Sequence, residues 1–216
     1  MRFIKNNSSI ISKLYVNQIG IAIFSMFLYT IIAALQNEEQ GYSLLFKVLV
    51  SVFALIFYFS LIYLAVWEIA AGDKIKIDGG RMEIQKSKGF LIGFFANLIN
   101  FIVWGASVVL MFIYLMGGGE GFKNVFAVLN AIFRIFCSMY LGVVQGIATL
   151  METSGILDAV SSAFESAAEN TYYLVETIGF LILPLISVGV TAFAYFMGVN
   201  NYRIFSHSNN KNNKSK

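Results

Sequence analysis

Cysteine, histidine and proline each occur once in this chain of 216 residues, as Cys137, His207 and Pro184. One cysteine excludes an internal disulfide framework, a cysteine-rich zinc site and a CxxC redox pair. One histidine, in a polar tail, excludes a histidine metal cluster and a Ser/His/Asp triad. Charge is also scarce: 12% of residues are Asp, Glu, Lys or Arg, about half the share of a soluble domain. No long basic run is present, and the short basic segments lie beside apolar ones, which is a membrane-orientation pattern and not a nucleic-acid footprint. No HExxH, no GxSxG elbow and no pair of membrane-embedded aspartates occurs. The glycine-rich stretch at 117–124 lacks the Gly-Lys-Ser/Thr of a phosphate loop.

Apolar residues are what the chain has in excess, at 58% with a mean hydropathy of +0.73. They fall into five runs, at 19–35, 48–71, 90–116, 125–151 and 174–199. At about 1.5 Å per helical residue each is long enough to cross most of a ~30 Å hydrocarbon layer. The composition therefore predicts an all-α integral membrane protein, with residues 1–205 forming one transmembrane helical domain. Residues 206–216, Ser, Asn and Lys apart from His207, form a tail with no apolar surface to bury.

The distribution of charge sets the expected topology. Arg2, Lys5 and Lys13, then Lys74, Lys76, Arg81, Lys86 and Lys88, then Arg203, Lys211, Lys214 and Lys216 make up 12 of the 15 basic residues. Four spans keep all three groups, and both termini, on the cytoplasmic side. Five spans would send the basic tail outside and bring in a segment at 152–171 that has no Lys or Arg and carries Glu152, Asp158, Glu165 and Glu169. The run predicted not to span is 125–151, where Asn130, Arg134, Ser138, Gly142 and Gln145 recur at spacings of three to four. An arginine at the centre of a lipid-facing span costs about 2.5–3.5 kcal/mol. An outer interfacial or re-entrant helix keeps it at a polar boundary, with five transmembrane helices as the alternative. Trp67, Tyr114, Tyr172, Tyr173 and Tyr202 mark the expected span ends.

Six polar or irregular intramembrane positions are the candidate functional residues: Glu68, Asn97, Asn100, Ser107, Arg134 and Pro184. Glu68 is an ionisable group at membrane depth, with Lys74 or Arg81 as the expected counter-charge. Asn97, Asn100, Trp104 and Ser107 lie on one helical face, near the small residues Gly89, Gly93 and Ala96. Such a face either lines a polar pathway or glues helices together. Pro184 removes a backbone donor and predicts a kink in the last span. In the basic loop at 72–84, Ile75, Ile77, Met82 and Ile84 alternate with charges around Asp78-Gly79-Gly80, the pattern of a short β-hairpin. Its lysines fix topology, with a phosphate headgroup or a docked protein as the functional alternative.

Three blocks, Trp67-Glu68 through Gly72-Asp73-Lys74 to Lys88-Gly89-Phe90-Leu91-Ile92-Gly93, then Met139-Tyr140-Leu141-Gly142, then Ala194-Tyr195-Phe196-Met197-Gly198, together resemble small uncharacterised polytopic membrane proteins of clostridia and related Firmicutes. The resemblance implies a bacterial cytoplasmic membrane and supplies no activity or ligand. From the residues, the expected role is a non-enzymatic accessory or membrane-domain subunit, embedded in the lipid bilayer and working with a membrane-protein partner or as a homo-oligomer. A self-assembling channel or small transporter is the alternative, and an intramembrane enzyme comes third. No cofactor, metal or nucleic acid is expected.

Overall fold

The computed structural model describes residues 2–35, 43–83, 85, 87–153 and 182–202. Among them the chain is all-helical, with no strand. The helices are α1 (Arg2–Leu35), α2 (Ser43–Asp78), α3 (Lys88–Ala96), α4 (Leu98–Leu115), α5 (Glu120–Phe136), α6 (Leu141–Thr153) and α7 (Ile182–Val199), with a 3₁₀ turn at Ser138–Tyr140 between α5 and α6. The first part of the expected last span, 174–181, the acidic segment from 154 with Tyr172 and Tyr173 beyond it, and the chain from Arg203 through the tail at 206–216 lie outside the described residues.

Three helices, α1, α2 and α7, are individually long and apolar enough to cross a membrane. The count reaches five if each of two bent pairs is one span, α3 with α4 at 58° and α5 with α6 at 76°. Large apolar side chains such as Ile23, Phe27, Phe53, Ile56 and Phe196 face outward, while Ser25, Ser51, Asn97, Asn100, Ser138, Ser187 and Thr191 are buried. This outward apolar, inward polar pattern fits a multi-pass membrane protein, because lipid solvates apolar surface and leaves polar groups to pair inside the bundle.

Helix directions follow from the contacts. α1 and α2 are antiparallel: Phe24 meets Phe53 with ring centroids 6.5 Å apart, and Tyr29 hydrogen-bonds Ser51. α3 is antiparallel to α7, since Gly89 lies against Tyr195 and Gly93 against Thr191 and Val188. α2 and α7 run the same way. The 3₁₀ turn and the start of α6 join their first halves, Tyr140 reaching Ser187 and Gly142 reaching Ser51. Further along, Gly198 sits on Trp67 and Ala70. The start of α1, the end of α2, the start of α3 and the end of α7 thus share one end of the bundle, called here the basic end.

Two expectations need correction. Residues 72–78, read as a strand of a hairpin, are the last turns of α2. Lys74 and Asp78 form an i,i+4 ion pair of 2.6 Å that favours helix over strand. The chain reverses only at Gly79-Gly80, where Gly80 has φ 66°. The first helix begins at Arg2, not near residue 19. Asn7, Ile10, Leu14, Gln18 and Ile21 are buried at helical spacing, so Lys5 and Lys13 ride on the outer face of a helix that is already packed. With 34 and 36 residues, α1 and α2 are each about 50 Å long, and they overshoot a ~30 Å hydrocarbon layer by several turns.

Candidate functional site

The basic end holds the most polar cluster. Asp73 is 3% exposed and Lys88 9%. Lys88 Nζ donates to Asp73 Oδ2 at 2.6 Å, and the Tyr195 hydroxyl donates to the same oxygen at 2.9 Å. Lys76 Nζ lies 3.7 Å from Asp73 Oδ1, and Lys88 Nζ is 5.9 Å from the Tyr195 ring centre. One carboxylate therefore ties α2, α3 and α7 together. The helices close tightly here because the second residue of α3 is a glycine: a Cβ at Gly89 would lie 2.5 Å from the Tyr195 Cβ. Beside this cluster opens a cleft of about 500 Å³ lined by Phe3, Asn6, Asn7, Asp73, Lys76, Met82, Gln85 and Lys88. Trp67 and Tyr202, expected at the inner boundary, meet there directly, the indole N–H donating to the Tyr202 carbonyl at 2.7 Å.

A second polar seam lies deeper, where α5 gives way to α6. The Ser138 hydroxyl donates to the Ala22 carbonyl of α1 at 2.7 Å. Tyr140 and Ser187 share a hydrogen bond of 3.0 Å. The Gly142 N–H, in the first turn of α6, donates to the Tyr29 hydroxyl at 3.0 Å and to Ser51 Oγ at 2.8 Å. The first N–H groups of a helix have no intrahelical acceptor, and inside a membrane no water replaces one. Hydroxyls from α1 and α2 supply the acceptors. A side chain at Gly142 would collide with the Lys47 carbonyl, so only glycine admits this approach.

The six candidate positions do not form one site, and Asn97 and Asn100 are the two of them that a hydrogen bond joins. Glu68 is exposed on the outer face of α2, and Lys74, its expected counter-charge, pairs with Asp78 instead. Asn97, Asn100 and Ser107 are buried at 4%, 2% and 3% exposure, but their bonds are local, to residues three or four positions away. Asn97 Nδ2 donates to the Gly93 carbonyl at 3.0 Å, Asn100 Nδ2 to Asn97 Oδ1 at 3.1 Å, and Ser107 to the Val103 carbonyl at 2.9 Å. Asn97 marks the 58° bend between α3 and α4. Arg134 is half-buried, its Nε donating to Asn130 Oδ1 at 3.3 Å. The helical face expected from Asn130 to Gln145 is interrupted by the 3₁₀ turn, so Ser138 and Gly142 point into the bundle as caps while Gln145 is exposed. Pro184 is buried in the first described turn of α7, and the kink expected there depends on residues before 182.

Sequence reasoning passed over Asp73, Lys88 and Tyr195 as a unit, and Tyr29 and Ser51 as acceptors. Asp73 carried one usable signal: a carboxylate directly after the apolar run of α2, with a lysine three residues on. Among the described residues no group of three or more His, Cys, Asp or Glu side chains is placed to hold a metal ion. Compared with family models, with curated proteins and with solved structures, the chain finds no match in any of the three.

Proposed function

We propose that this chain is a four-span protein of a bacterial cytoplasmic membrane, with both termini cytoplasmic, acting as a non-enzymatic accessory or membrane-domain subunit alongside a partner protein or further copies of itself. The observation that carries the reading is where the buried polar groups are spent. Asp73 with Lys88 and Tyr195, Ser138 with Ala22, Tyr29 and Ser51 with Gly142, and Tyr140 with Ser187 each join one helix to another. They act as cross-links of a rigid membrane body.

The shared direction of α2 and α7 supports four spans. In a five-span chain the last span opposes the second; with α5 and α6 as an element that enters and stays on the outer side, the last span parallels it. Gathering of Lys5, Lys74, Lys76, Arg81 and Lys88 near the basic end supports a cytoplasmic placement for that end. The test is the native mass of the gently extracted protein with every co-purifying chain identified. A stoichiometric foreign partner or a defined homo-oligomer is expected, and a lone monomer whose loss depletes no other membrane protein would contradict the proposal.

A channel or small transporter is the second reading, favoured by the two broken helices, since transporters build sites where helices are interrupted. Solute flux in liposomes that is lost in an Asn97→Leu/Asn100→Leu double variant would support it. Flux unchanged by that variant would remove those amides from any pathway.

A further inference from the structure

Lys88 is a buried cation with donor capacity to spare. Its ammonium carries three N–H groups; one is taken by Asp73 Oδ2, and the other two have no acceptor among the described residues. Buried donors are almost always satisfied, and these border the cleft. Asn7, also nine-tenths buried, stands on the same wall, with its Nδ2 turned to the Phe3 carbonyl at 2.9 Å. Asn6 and Gln85 are exposed amides at the rim. Lys76, its side chain 61% exposed and its nitrogen 3.7 Å from Asp73, is held loosely enough to turn to a ligand.

Charge and depth then select the ligand. Two ammoniums against one carboxylate leave the lining one unit of positive charge. A singly charged anion balances it, whereas a dianion would place an uncompensated charge beside Asp73. Phe3 and Met82 add apolar wall. The cleft begins two residues beyond Ala71, the last residue of the apolar run of α2, so it opens at headgroup depth. We propose that this cleft binds a phosphodiester, with Lys76 and Lys88 on the anionic oxygens, the amides of Asn6, Asn7 and Gln85 around the esters, and Phe3 and Met82 against the adjoining carbons. The site goes beyond the subunit reading and stands whether or not a protein partner exists.

A phospholipid headgroup and a soluble glycerophosphodiester present the same group, and the test separates them. The full chain in detergent micelles is titrated with dioctanoyl phosphatidylglycerol, with glycerophosphoglycerol, and with dioctanoylglycerol, which lacks phosphate. The phospholipid is expected to bind, and Lys76→Gln to weaken it about tenfold or more, as the loss of one charge-assisted hydrogen bond would. Lys76→Arg should stay within about twofold of wild type because the charge is kept. Lys76 is exposed, so the substitution leaves the fold intact; Asn6→Ala, equally exposed, is the second variant. Binding of both phosphate compounds assigns a general phosphodiester site, and binding of the phospholipid alone assigns a lipid site. The proposal is overturned if dioctanoylglycerol binds as tightly as the phospholipid, if neither phosphate compound binds, or if Lys76→Gln and Asn6→Ala both bind like wild type.

Discussion

Replacing Gly142 by alanine tests how α6 is seated. The added methyl meets the Lys47 carbonyl and lies 2.8 Å from Ser51 Oγ, and neither can retreat, since one is helix backbone and the other accepts the Gly142 N–H. α6 must shift, which strains the packing and stretches a buried hydrogen bond, for a total of about 2–4 kcal/mol. Even the lower figure changes the folded-to-unfolded ratio about 30-fold. The assay is reversible unfolding in mixed micelles by SDS titration, followed by the fluorescence of Trp67 and Trp104, the two tryptophans of the chain. Gly146→Ala is the control: its methyl meets only Val48 Cγ2, at 3.0 Å, a side-chain end that can give, so the cost should stay below about 1 kcal/mol. Ser51→Ala removes one of two acceptors and should cost about 1 kcal/mol. If Gly142→Ala and Gly146→Ala agree within about 0.5 kcal/mol, α6 is not seated on α2 as described.

Asp73→Ala strands the Lys88 ammonium in a buried site and should cost about 3–5 kcal/mol, whereas an Asp73→Leu/Lys88→Met pair should recover most of that stability, measured by the same unfolding assay. Recovery no better than the single variant would mean that the pair is not an isolated charge couple. Trp67→Phe loses the bond to the Tyr202 carbonyl, worth about 0.5–1.5 kcal/mol; faster amide exchange at residues 199–202, with little change elsewhere, is the expected readout. Cys137, 2% exposed, should react with a maleimide only after SDS unfolding. Rapid labelling in mild detergent would contradict its burial beneath α1 and α2.

The helical membrane architecture was legible because runs of this length and apolarity have few other solutions. That the first two basic groups share an end was legible too, at Lys5 and Lys88, and the Trp67–Tyr202 contact lies at that same end, since charge and boundary aromatics report depth. The early start of α1 had a signal that composition hid: Asn7, Ile10, Leu14, Gln18 and Ile21 keep a helical period, but two of them are polar and a basic residue, Lys13, lies between. At 72–78 a four-residue alternation spoke for strand while the Lys74–Asp78 spacing spoke for helix, and the helix already running through α2 decided it. Local sequence holds no mark of the break at 137–140. It carries no proline, and its hydrogen-bond partners Ala22, Tyr29, Ser51 and Ser187 lie 47 to 116 residues away. The same distance hid the Asp73 cluster, which joins residues 122 apart.

The four-span arrangement is tested most directly by sided labelling of single cysteines in a Cys137→Ser background. Suitable positions are Ser8, Ser87 and Asn201 toward the basic end and Gly119 after α4, all exposed. The expected result is that an impermeant maleimide reaches Ser8, Ser87 and Asn201 from the cytoplasmic face alone and Gly119 from the opposite face alone. Labelling of Asn201 from the side that labels Gly119 would mean that the last span opposes the second, and the four-span account would be contradicted.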